Sequence, residues 1–67
     1  MDIREVKATL DEIVYYELDG KTLEYRLNAC ILRMNKQNKP WYQAELLDSK
    51  CNHSVLIVPL DKVKLTK

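Results

Sequence analysis

Two runs in the first half of the chain alternate apolar and polar residues, Val14-Tyr15-Tyr16-Glu17-Leu18 and Leu23-Glu24-Tyr25-Arg26-Leu27, and Asp19-Gly20 lies between them. Period-two alternation marks a half-buried strand. Asp-Gly suits a two-residue type I′ turn, in which both central residues take positive φ. The spacing predicts an antiparallel hairpin that pairs Leu18 with Lys21, Tyr16 with Leu23 and Val14 with Tyr25. One face then carries Val14, Tyr16, Leu18, Leu23, Tyr25 and Leu27. The other is mixed, with Tyr15 opposite Glu24.

Ahead of the hairpin, residues 2–12 fit two periods. Ile3, Val6, Leu10 and Ile13 share one helical face, with Asp2 placed as an N-cap and Glu5 three residues later to complete a capping box. Val6, Ala8 and Leu10 also alternate with Lys7 and Thr9, as in a strand. The segment is therefore helix or strand, and the capping residues favour a short helix.

Beyond the hairpin, residues 27–34 are apolar on both sides, Ala29 and Ile31 on one and Cys30, Leu32 and Met34 on the other, which predicts a central strand. Asn35-Lys36-Gln37-Asn38-Lys39-Pro40 is a polar loop. Residues 41–47 alternate Tyr42, Ala44 and Leu46 against Gln43 and Glu45, and residues 48–54 form a second polar connection. A β-branched run over 55–58 stops at Pro59, and residues 60–65 read as a turn and a final short strand. Since the chain has one glycine, its turns other than the one at Gly20 rely on Asn, Asp, Ser or Pro.

Five short strands with one tight hairpin suggest a mainly β fold, a small, strongly bent antiparallel barrel. The layout Ala29-Cys-Ile-Leu-Arg33, polar loop, Trp41-Tyr-Gln-Ala-Glu-Leu-Leu-Asp48, polar loop, Ser54-Val-Leu-Ile-Val58, then Leu60-Asp-Lys-Val63 resembles SH3-like barrels of the Tudor and KOW kind. The resemblance covers about residues 12–65, implies the fold and assigns no site residue. The expected core is Val14, Tyr16, Leu18, Leu23, Tyr25, Leu27, Ala29, Ile31, Tyr42, Ala44, Leu46, Val55, Ile57 and Val63. Truncating Ile31 or Ile57 to Ala should then cost about 2–5 kcal/mol.

Composition narrows the picture. A chain of 67 residues is one domain and buries only about 60% of its unfolded surface, so its core is thin. With 46% hydrophobic and 31% charged residues it has the supply to fold. The longest apolar run, Val55-Leu-Ile-Val-Pro-Leu60, falls far short of the roughly 20 residues that span a bilayer. The N-terminus lacks the pattern of a secretory signal. These features point to the cytoplasm, with Cys30 and Cys51 as reduced thiols and no membrane partner. The net charge of +1 hides an asymmetry: residues 1–24 carry a formal −4 and residues 25–67 a formal +5.

Candidate chemistry is sparse. Cys51, His53 and Cys30 offer three metal ligands where structural zinc takes four, commonly with a paired-cysteine knuckle, so no metal or other cofactor is expected. One glycine and one histidine leave no phosphate loop and no Ser/His/Asp set, and an enzyme is not expected. Asp11, Glu12, Glu17, Asp19, Asp48 and Asp61 read as solvated or turn-forming carboxylates.

The constellation that stands out is Arg33, Lys36, Lys39, Trp41 and Tyr42, because residues 25–44 contain four basic side chains and no acidic one. Small barrels bind single-stranded nucleic acid by stacking bases on aromatics while Lys and Arg follow the phosphates. Alternatively, Tyr15, Trp41 and the strand edges form an aromatic groove, or accept an added strand, for a partner protein. The near-neutral balance places the protein reading first. The expectation is a non-catalytic protein-interaction module, of a kind that suits an accessory protein of a bacterium, phage or mobile element. A single-stranded nucleic-acid binder comes second, and a structural or regulatory subunit with no ligand of its own third. A homodimer packed through residues 1–12 is a further expectation.

Overall fold

Asp2 decides the first segment in favour of a helix. In a computed structural model, which describes residues 1–49 and 55–67, its side chain accepts from the Arg4 backbone N–H at 2.9 Å, and Glu5 Oε1 accepts from the Asp2 N–H at 2.9 Å. Together these form a complete capping box that satisfies two N–H groups the helix leaves unpaired. Helix α1 spans Ile3–Thr9 and turns Val6 and Thr9 inward.

The chain leaves α1 without a glycine. Leu10 is extended, Asp11 takes φ 67°, and the Glu12 N–H donates to the Thr9 carbonyl at 2.9 Å, the pattern of a type II turn. Asp11 N–H donates to the Leu27 carbonyl at 2.8 Å, and Leu27 N–H to the Glu12 carbonyl at 3.0 Å. Two residues thus face one, with the first left-handed, which is a G1 bulge. It feeds the chain into strand β1 (Ile13–Leu18).

Strands β1 and β2 (Lys21–Met34) pair in the predicted register, Leu18 with Lys21, Tyr16 with Leu23, Val14 with Tyr25, and Tyr15 opposite Glu24. Asp19 and Gly20 take φ 53° and 78°, as the type I′ turn requires. Strand β2 continues as the predicted central strand, between β1 and β3 (Pro40–Asp48), and β4 (Val55–Pro59) follows β3 in an antiparallel sheet of order β1-β2-β3-β4.

The result is mainly β, but it is an open four-stranded sheet with one short helix and not a closed barrel of five strands. The expected last strand is reduced to one bridge. After a 3₁₀ turn at Leu60–Lys62, Lys64 and Tyr15 exchange two backbone hydrogen bonds of 2.8 Å.

The core comprises Val6, Val14, Leu27, Ala44, Leu46, Val58, Leu60 and Val63, with Met1, Tyr16, Tyr25, Cys30, Tyr42 and Leu56 packed partly buried against it. Six expected members lie outside it, Ala29, Ile31, Val55 and Ile57 on the other face of the sheet and Leu18 and Leu23 at the hairpin end. The cause in β2 is a register shift between Leu27, opposite Leu46, and Ala29, opposite Glu45. Asn28 is the extra residue, and it hands the inward position to Cys30, opposite Ala44. In β4, Leu56 and Val58 pair with Leu46 and Ala44, so Val55 and Ile57 face out. Leu18 and Leu23 share the inward parity but are exposed, because the hairpin end extends past the core.

Candidate functional site

The β2–β3 ladder runs on to Arg33 opposite Trp41 and Met34 opposite Pro40. The β3–β4 ladder stops earlier, at Gln43 opposite Pro59, where the chain turns into the 3₁₀ segment. Trp41 and Tyr42 therefore have a strand neighbour on the β2 side and none on the β4 side. Beside this free edge is a groove of about 510 Å³, a volume typical of ligand-sized hollows. Trp41 and Tyr42 line it together with Ile3, Pro59 and Leu60, and Asp2 and Asp61 stand among its polar residues.

Each wall has a local origin. Pro59 ends β4, and Leu60 turns inward at the start of the 3₁₀ segment, buried to 4% exposure. Ile3 sits in the first turn of α1, whose capping box fixes its place. The Met1 α-amino group donates to the Leu60 and Val63 carbonyls at 3.3 and 2.6 Å, which ties the start of the chain to the same wall. Trp41 is 44% exposed and Tyr42 half-buried against the core.

The groove's electrostatics are mild. Asp2 Oδ2 accepts from Arg4 Nη2 at 2.9 Å and from Arg4 Nε at 3.3 Å. The hydrogen bond from the Arg4 guanidinium holds the Asp2 carboxyl below its ordinary value. That carboxylate is largely spoken for. Asp61 is exposed and stands at the rim of an apolar, aromatic lining.

The other candidate residues divide. Lys36 and Lys39 sit in the tight β2–β3 connection, where Asn35 N–H donates to the Lys39 carbonyl at 3.2 Å and Asn38 N–H to the Asn35 carbonyl at 3.0 Å. Asn35 Oδ1 also accepts from Gln37 N–H and Lys39 N–H at 2.9 and 3.0 Å, and Asn38 takes the left-handed φ of 59°. This is a three-residue hairpin loop with asparagine in glycine's usual place. Arg33 donates from Nε to Gln43 Oε1 at 2.9 Å, alongside Trp41. Arg33, Lys36, Lys39 and Trp41 thus gather at one end of the molecule, while Tyr42 faces the opposite side of the sheet from Trp41.

Tyr15 stands apart. Its partner Glu24 lies nine residues before Arg33 on β2, which is roughly 25–30 Å of strand. Its ring instead has the Lys67 Nζ at 6.0 Å from its centroid. Cys51 and His53 lie outside the described residues. Cys30 is a free thiol, half-buried, and burial raises its pKa. Among the described residues no group of three His, Cys, Asp or Glu side chains is placed to hold a metal, and no helix is long and apolar enough to cross a membrane.

Pattern reading missed Ile3, Pro59 and Leu60 as walls. Ile3 had a signal in the helical face it shares with Val6, but Leu60 follows a proline and belongs to no period. Compared with known proteins, the chain matches no family model, no curated protein and no solved structure.

Proposed function

We propose that this protein is a non-catalytic protein-interaction module of the cytoplasm. Its groove at the free end of β3 receives an apolar or aromatic side chain from an extended segment of a partner protein. The observation that carries the reading is the convergence of Trp41 and Tyr42 with Ile3 and Leu60 beside a strand edge that has no neighbour. Aromatic anchors and free strand edges are the two features that protein interfaces use most readily for extended segments.

Peptide display on the immobilised protein tests it. Selected sequences should share an apolar anchor, quench or shift the emission of the single tryptophan, and bind about tenfold or more weakly to Trp41→Ala. High salt should change their affinity little. The opposing outcome is no enriched motif, with binding instead to single-stranded oligonucleotides that weakens steeply with salt. That result would move the function to the Arg33, Lys36 and Lys39 end of the molecule.

A further inference from the structure

The outward face of strands β2, β3 and β4 is apolar where a solvated sheet face would be polar. Cross-strand register places Ala29, Glu45 and Ile57 in one row and Ile31, Gln43 and Pro59 in the next, with Arg26, Leu47 and Val55 on one side and Arg33 and Trp41 on the other. Val55, Ile57 and Trp41 are 54%, 46% and 44% exposed. Strands that are apolar on both faces ordinarily have both faces covered, and here the core covers one.

The two polar residues in the middle of this face have their hydrogen bonds within it. Gln43 Oε1 accepts from Arg33 Nε at 2.9 Å, and Glu45 Oε2 from Asn28 Nδ2 at 2.7 Å. Covering them leaves these acceptors satisfied, which removes much of the cost of burying polar atoms.

We propose that this face binds the same face of a second copy of the chain, forming a weak, reversible two-fold dimer. Charge selects the partner. A net charge of +1 gives two copies little mutual repulsion, and the face carries both signs, Arg26 and Arg33 with Glu45, so a second copy of the face offers each sign its opposite. A two-fold axis across the strands near Gln43 lays the Arg33–Trp41 row of one copy over the Glu45 row of the other. Arg33 then approaches the partner's Glu45, and the symmetry repeats the pair. An axis along the strands would instead stack Glu45 on its own copy.

Area sets the strength. Three strands at about 4.8 Å spacing and the seven residues from Trp41 to Leu47 at about 3.3 Å each give a footprint of roughly 350 Å². That is well below the roughly 800 Å² per partner of a standard stable interface, so the dimer should dissociate on dilution.

Sedimentation velocity of the full chain across a wide concentration range tests this, with circular dichroism to check each variant's fold. The expected result is a reversible shift from monomer to dimer mass at high concentration. Ile57→Lys and Val55→Lys should keep the fold and weaken dimerisation at least about tenfold. Arg33→Glu and Glu45→Arg should each weaken it, and the two together should restore it. Monomer mass at every concentration overturns the proposal, as does a dimer untouched by all four substitutions. Trp41 lies at the edge of both surfaces, so the peptide groove is read separately, by peptide affinity at concentrations where the chain is monomeric.

Discussion

Single residues at left-handed backbone positions hold this chain's turns. Asp11, Asp19, Gly20 and Asn38 all have positive φ, and the first, second and fourth use short polar side chains that tolerate the conformation. At Gly20 the demand is conformational and not steric, because an added Cβ would meet nothing within 4 Å. Gly20→Ala should therefore destabilise by about 1–2 kcal/mol in urea unfolding, with the hairpin register intact by NMR. Asn35→Ala, which removes the acceptor for two loop N–H groups, should cost about 1 kcal/mol. Asp2 acts through pH. Its folded pKa lies below the ordinary 3.8, so its contribution is fully present above that value and is lost as pH falls through the lower folded one. The thermal midpoint of Asp2→Ala should lie below that of the native chain at neutral pH and approach it in acid.

At the scale of elements, what the sequence discloses depends on whether polar residues mark the phase of a strand. The hairpin was legible to the residue because Glu17, Glu24 and Arg26 break the apolar run and Asp19-Gly20 fixes the turn. Strand β3 was legible for the same reason, through Gln43 and Glu45. Strand β4 was not, since Val55, Leu56, Ile57 and Val58 are all apolar and either phase buries a good surface. The bulge at Asn28 was equally hidden, because a single extra residue leaves the composition of β2 unchanged while exchanging its faces. The two faces now differ in a measurable way. Leu27→Ala, at a side chain with 0% exposure, should cost about 2–5 kcal/mol. Ile57→Ala should cost under about 1 kcal/mol at dilute concentration, in place of the larger value that alternation alone implied.

At the scale of the whole molecule, a short chain divides its hydrophobic residues between a thin core and its surface. Among the described residues, eight apolar side chains are buried and eleven large ones are exposed, with Ile3, Ile57, Val55 and Trp41 in the second group. Such a split fits a domain that completes its burial through partners. The aromatic and basic cluster near residues 33–42 was visible as a sequence feature, and so was its division, since the pattern places Tyr42 and not Trp41 on the core side. Alternation separates Trp41 from Tyr42 across the sheet, and the early end of β4 then reunites them at its edge. That end depends on Pro59 and the turn after it, which are legible locally, and on the β3–β4 register that sets them two residues short of Trp41, which is not.

The most direct test of the central claim is the emission of Trp41, the single tryptophan, during titration with display-selected peptides and with single-stranded oligonucleotides at low and high salt. Peptide binding in the groove should give saturable shifts that persist at high salt and are accompanied by amide shifts at Ile3, Tyr42 and Leu60. Shifts produced only by oligonucleotides, lost at high salt and centred on Arg33, Lys36 and Lys39, would contradict it.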